Sequence, residues 1–152
     1  MARTIYDALR ESHEIQRSLC RRLVRLKPDS GRREETLREL RIELAAHAAA
    51  EERFLYAPML MDDLGLDSSR HALAEHHEID ECLEDLCGAE YEGGSWLAKA
   101  KQLAHQVTHH LREEETKFFQ ISGKILSDGQ KTALAAQYEA DYRRMKEKLS
   151  QA

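Results

Sequence analysis

Apolar residues recur along this chain every three or four positions in five stretches, the spacing of one face of an α-helix. From about Thr4 to Leu26, Ile5, Leu9, His13, Cys20 and Leu23 keep to one side, with Arg and Glu elsewhere. From about Arg33 to Met61 the inward stripe is Leu37, Leu40, Leu44, His47, Glu51 and Leu55. From about Arg70 to Leu86 it is Leu73, His76, Ile79, Leu83 and Leu86. The longest pattern, about Trp96 to Leu126, aligns Ala100, Leu103, Val107, His110, Glu114, Phe118 and Ile121. A fifth stretch, about Gln130 to Leu149, carries Leu134, Tyr138, Tyr142, Met145 and Leu149 and no ligand set.

Turn chemistry separates these stretches. Pro28-Asp29-Ser30-Gly31 reverses the chain after the first helix, and Asp62 to Ser69 does so after the second. Ser68 or Ser69 is the expected cap of the third helix. Cys87 to Ser95, with Gly88, Gly93 and Gly94, reads as a flexible connection, and Ser127-Asp128-Gly129 as the last break. Pro58 removes one backbone donor, which predicts a kink or early end near Ala57. The expected fold is all-α: an up-down-up-down four-helix bundle over residues 1–126. Residues 127–152 then form an additional C-terminal helix on the same domain, outside the bundle or at a homodimer contact.

Composition supports long helices. The 152 residues are 41% apolar and 34% charged, with only 7 Gly and 2 Pro, enough for one domain with a sizeable core. A net charge of −5 with no basic face argues against nucleic acid as a partner. The start, MARTIYDALRESHE, has no apolar leader and no run approaches a membrane span, so a cytoplasmic protein is expected. Cys20, Cys82 and Cys87 form no C-x-x-C pair and read as small apolar filler.

The inward stripes also hold residues that an apolar core should reject. His47 and Glu51 lie four apart, as do His110 and Glu114, so each pair points an imidazole and a carboxylate the same way. A shift of 63 positions superposes His13, His47 and Glu51 on His76, His110 and Glu114. It also carries Leu23 onto Leu86, Leu40 onto Leu103, Glu52 onto Glu115, Leu55 onto Phe118 and Tyr56 onto Phe119. His71, His77, His105 and His109 do not follow the shift and read as solvated helix residues. His77 is the rival of His76, and the register together with the phase of Leu83 and Leu86 favours His76.

A lone histidine on an apolar face is usually a satisfied core residue. Two glutamates in the same seam are different, because buried carboxylates cost several kcal/mol each without compensation and repel each other. No Lys or Arg lies on the stripes to compensate them. Metal ions do. Four imidazoles and two carboxylates without a thiolate suit iron or manganese, and zinc less distinctively.

With H-E-I in the first helix, H-A-A-A-E-E-R-F-L-Y-x-P in the second, E-H-H-E-I in the third and H-L-R-E-E-E in the fourth, the chain resembles the hemerythrin-like, or HHE cation-binding, domain. The resemblance covers about residues 1–126. It implies that His13, His47, Glu51, His76, His110 and Glu114 hold an oxo- or hydroxo-bridged pair of iron ions, with the glutamates bridging and manganese admissible at one position. It also implies a small partner, dioxygen, nitric oxide or peroxide. Oxygen-carrying relatives have a fifth histidine in the third helix, where Ala72 and Asp80 flank His76 here, which points away from reversible oxygen carriage. Leu55 and Phe118 are candidate walls of the ligand pocket.

Three functions follow as expectations: binding or sensing of a small diatomic or peroxide; repair of iron centres or processing of nitric oxide or peroxide by an oxidoreductase; and a metal-free helical interaction module. The last leaves the repeated polar residues unexplained.

Overall fold

A computed structural model describes residues 2–27, 31–88 and 94–152. The expected turn residues Pro28 to Ser30 and the connection from Ala89 to Gly93 lie outside the described residues.

Helix α1 (Ile5–Arg25) begins at a capping box, in which the Thr4 side chain accepts from the Asp7 amide and Asp7 accepts from the Thr4 amide. Helix α2 runs over Arg33–Glu51, passes through one wide π-helical turn at Glu52–Tyr56, and continues as Ala57–Leu60. The wide turn precedes Pro58, whose missing N–H thus falls near the start of the last segment, so the helix passes the proline and ends close to the expected place. Helix α3 spans Leu66–Cys87. Helix α4 runs over Gly94–Glu113, takes a second wide turn at Glu114–Phe118, and ends with Phe119–Ile125. Helix α5 (Asp128–Ser150) starts from a second capping box between Ser127 and Gln130.

One boundary differs from expectation. Helix α3 begins ahead of Ser68 and Ser69, which are therefore inside it and cap nothing. The Ser69 hydroxyl donates instead to the Gly65 carbonyl at 2.7 Å. A side chain at Gly65 would place its Cβ 2.6 Å from the Met59 carbonyl oxygen, so only glycine lets the chain turn this tightly.

The first four helices form the up-down-up-down bundle, with α1 against α2 and α4, and α3 against α4. Helix α5 lies across α1 and α2 of its own chain. Two apolar clusters fill the interior. Leu19, Leu23, Leu40, Leu83, Trp96 and Leu103 belong to one; Ile5, Leu9, Leu55, Met59, Phe118 and Phe119 belong to the other. Each of the first four helices contributes to both clusters, and the repeated His and Glu residues lie where one contribution gives way to the other. Among the described residues no helix is long and apolar enough to cross a membrane.

Candidate metal centre

The six repeated residues converge where the helices cross the middle of the bundle. His13, His47, Glu51, His76, His110 and Glu114 are all buried, none more than 8% exposed. They form two sets that share both carboxylates: His13, His47, Glu51 and Glu114, and Glu51, His76, His110 and Glu114. Within each set one donor atom per residue lies within 4.8 Å of every other. His77, by contrast, is a surface residue paired with Glu81 at 2.6 Å.

Every imidazole faces inward through Nε2. His13 Nε2 is 3.3 Å from Glu114, His47 Nε2 is 3.2 Å from Glu51, His76 Nε2 is 3.3 Å from Glu51, and His110 Nε2 is 3.5 Å from Glu114. Close as they are, His13 Nε2, His47 Nε2, one Glu51 oxygen and one Glu114 oxygen make no directed hydrogen bond. Buried polar atoms without partners are rare and costly, and four aimed at one place are the signature of donors arranged for a cation. The residues present fit a bound metal.

The outward nitrogens are all occupied. His13 Nδ1 meets Glu115 at 2.7 Å, His76 Nδ1 meets Glu52 at 2.8 Å, His110 Nδ1 meets Glu75 at 2.8 Å, and His47 Nδ1 meets the Tyr138 hydroxyl at 2.7 Å. When Nδ1–H donates to these acceptors, the Nε2 lone pair is left facing the centre, which is the tautomer a metal needs. The Tyr138 hydroxyl in turn lies 2.7 Å from Ser12 Oγ. Sequence reasoning missed all four outer partners. The 63-residue shift held a signal for two of them, because it pairs Glu52 with Glu115, but Tyr138 lies outside the repeat.

Tyr56 was also missed as a site residue. Its hydroxyl donates to Glu51 at 2.9 Å and to Glu114, and lies 3.3 Å from His76 Nε2. The wide turn explains it. A π-turn stacks residue i+5 over residue i, so Tyr56 stands above Glu51 where regular helix geometry would put Leu55. The second wide turn does the same for Phe119 above Glu114, and the Phe119 ring stacks on His13 with centroids 6.1 Å apart. Leu55 is fully buried in the second apolar cluster, and Phe118 lines a 290 Å³ pocket that reaches His110 and Glu114.

Charges at the site depend on one another. Burial raises the Glu114 carboxyl above its usual range, and the neighbouring Glu51 raises it further. Burial works against Glu51 as well, but His47, Glu114 and His76 hold it well below. Burial alone would depress His13, yet Glu114 and Glu115 outweigh it and push the imidazole up to about 9. Glu51 and Glu52 likewise push His76 up to about 10 against its burial. Without a cation, protons take over the neutralising role.

Beside the centre, a cleft of 10 Å³ is lined by Gln16, His47, His76, Asp80 and His110 among others. Gln16 is 1% exposed and its amide nitrogen has no partner. A cleft of this size holds about one water-sized molecule.

A four-helix bundle with two buried His/Glu sets sharing both carboxylates defines a helical cation-binding domain. The sequence matches the Hemerythrin HHE cation binding domain over residues 4–121, and the chain belongs to that family. The fold is similar to the crystal structure of a hemerythrin HHE cation binding domain-containing protein from Mycobacterium kansasii, with a TM-score of 0.84, 22% identity, and coverage of 95% of this chain and 88% of that one. A protein named DNA nickase from Nostoc sp. (strain PCC 7120 / SAG 25.82 / UTEX 2576) is 28% identical over 107 residues. That match covers 70% of this chain but only 30% of the nickase.

Proposed function

We propose that this protein is a hemerythrin-like, non-haem di-iron protein of the cytoplasm that binds or senses a small diatomic or peroxide ligand. The observation that carries the reading is the pair of four-residue sets sharing Glu51 and Glu114, with inward Nε2 and occupied Nδ1 on every histidine. His13 and His47 would hold one ion, His76 and His110 the other, and Glu51 and Glu114 both. Iron bound there supplies redox-active centres with room for an exogenous ligand. The chain supplies the rest. Glu52, Glu75, Glu115 and Tyr138 orient the imidazoles, the two apolar clusters exclude water, and the unpartnered Gln16 amide offers a hydrogen bond in the small cleft. Its three cysteines, free thiols in the structure, suit a reducing compartment.

A second reading, an oxidoreductase that processes nitric oxide or peroxide, is favoured by Tyr56. Its phenol is a proton-bearing, oxidisable group placed against both shared carboxylates. Tyr56→Phe should leave ligand binding intact and lower steady turnover if this reading holds.

Metal analysis with the visible spectrum of protein purified in air tests the proposal. Two irons per chain, with a spectrum that changes on adding nitric oxide to the reduced protein, are expected. Zinc or no metal, even after anaerobic addition of iron(II), would remove it.

A further inference from the structure

Outside the buried centre, α3 and α4 bring together a second set of metal-type donors. His71 and Glu75 lie one turn apart on α3, as do His109 and Glu113 on α4, and the two pairs face each other. His71 Nε2 is 3.1 Å from one Glu113 oxygen and 3.6 Å from Glu75 Oε2. His109 Nε2 is 3.1 Å from the other Glu113 oxygen and 3.9 Å from Glu75 Oε2. Donor atoms of His71, Glu75 and Glu113 all lie within 4.8 Å of one another. Ligands around a divalent ion with bonds of roughly 2.0–2.2 Å sit about 3–3.5 Å apart, so the spacing needs little change to close on a cation.

Two further observations tie this cluster to the interior. Glu75 is shared: while Oε2 faces His71 and His109, Oε1 holds Nδ1 of the buried His110 at 2.8 Å. The cluster also stands at the edge of the 290 Å³ pocket, whose lining runs from His71, Glu75 and Glu113 down to His110, Glu114 and Phe118. The His71 and His109 side chains are 58% and 57% exposed, so an ion held there stays partly hydrated and exchangeable.

We propose that His71, Glu75 and Glu113, with His109 beside them, form an outer site for a divalent cation through which iron(II) reaches the buried centre. Two imidazoles and two carboxylates suit borderline divalent ions, iron(II), cobalt(II) or zinc. The outer site lets an ion exchange part of its water for protein ligands before it enters the dry interior. The uptake role rests on the buried centre being a metal site; the outer site does not.

Cobalt(II) is the probe that separates the two. In Glu51→Gln/Glu114→Gln protein, whose buried donors are impaired, equilibrium dialysis should still find one cobalt(II) per chain. Adding His71→Ala and Glu113→Gln should weaken that binding by a factor on the order of ten or more. Absence of cobalt(II) in the first variant, or its equal retention in the second, overturns the outer site. Metal-free protein with the native buried centre is then mixed with iron(II). The His71→Ala/Glu113→Gln variant should fill several-fold more slowly than the unaltered chain and reach the same iron content; equal rates overturn the uptake role. A chain that binds outer cobalt(II) but never takes up iron would sink the di-iron reading and the uptake role while leaving the outer site standing.

Discussion

Single hydrogen bonds to ring nitrogens decide whether the buried histidines can serve as ligands. His47 depends on a phenol rather than a carboxylate: Nδ1 meets Tyr138, and Tyr138 meets Ser12. Ser12 and Glu75 occupy equivalent places under the 63-residue shift. Glu75 is long enough to reach His110 directly, whereas Ser12 reaches His47 only through Tyr138. Tyr138→Phe should therefore lower metal affinity by roughly 10–100-fold and cost about 1–3 kcal/mol in the metal-free chain, because a buried ring nitrogen and a buried hydroxyl lose their partner. Competition with a chelator and urea unfolding measure the two effects; unchanged affinity would show that His47 needs no such support. Protons give a second prediction. His13 at about 9 and His76 at about 10 both stand above the ordinary imidazole value of 6.5. A raised folded value means that protonation stabilises the metal-free fold. That stability is complete below about pH 6.5 and is lost as pH rises toward 9 and 10. Metal-free protein should melt at progressively lower temperature across this window, and metal-loaded protein, in which the cation replaces the protons, should not. Metal affinity should rise over the same window, with release of protons on binding. A flat melting profile in the metal-free chain would contradict the assignment of charge.

The helices themselves were legible because a bundle needs only apolar residues at helical spacing, and the patterns around Leu9, Leu40, Leu83 and Leu103 are unbroken. The ligand candidates were legible because histidine and glutamate are conspicuous in such stripes. What periodicity could not convey was a change of period. The wide turns at Glu52–Tyr56 and Glu114–Phe118 add one residue to a helical turn, and no propensity marks where that happens. Tyr56 therefore read as framework. Helix α5 lies outside the bundle as expected, but its polar role was missed for a related reason, since tyrosines in an amphipathic stripe look like packing residues. Two of them carry polar duty instead: Tyr138 at His47, and Tyr142, which donates to both oxygens of Glu43 at 2.6 and 2.7 Å. Glu43 is 1% exposed, and Lys146 at 3.2 Å is its other partner from α5. Tyr142→Phe should destabilise the protein by about 1–3 kcal/mol, with less effect on metal affinity than Tyr138→Phe, because the lost bonds leave a buried carboxylate under-satisfied while the bond between Tyr138 and His47 stays in place. Urea midpoints and metal counts together test this. A variant that loses metal but not stability would assign Tyr142 to the centre instead.

At the scale of the molecule, the internal repeat implies two equivalent halves of the buried His/Glu cluster, and the structure breaks that equivalence at specific places. The shift is obeyed where Glu115 holds His13 and Glu52 holds His76. It is broken where a phenol holds His47 but a carboxylate holds His110, and where the Tyr56 hydroxyl has only the Phe119 ring as its counterpart. Glu115 is further drawn down by Arg17, which donates to both its oxygens at 2.7 and 3.2 Å. Despite partial burial, His13 and Arg17 hold its carboxyl at about 2, and the Arg17 guanidinium shares the charge that Glu115 offers the imidazole; Glu75 is also held below its usual range, but by imidazoles alone. An imidazole whose Nδ1–H donates to a basic carboxylate gives more electron density to its metal than one facing a phenol or a neutralised carboxylate. The position formed by His76 and His110 should therefore bind more tightly than the one formed by His13 and His47. Substoichiometric iron(II) should fill His76/His110 first, and the two filled positions should give two distinct Mössbauer doublets in equal amounts. Glu75→Gln removes the charge that holds His110 and should narrow the difference in affinity, whereas Arg17→Ala should narrow it from the other side by strengthening Glu115 as a base. One doublet and one-step filling in the unaltered chain would mean that the shared Glu51 and Glu114, which are common to both positions, govern affinity by themselves and that the outer partners only hold the rings in place.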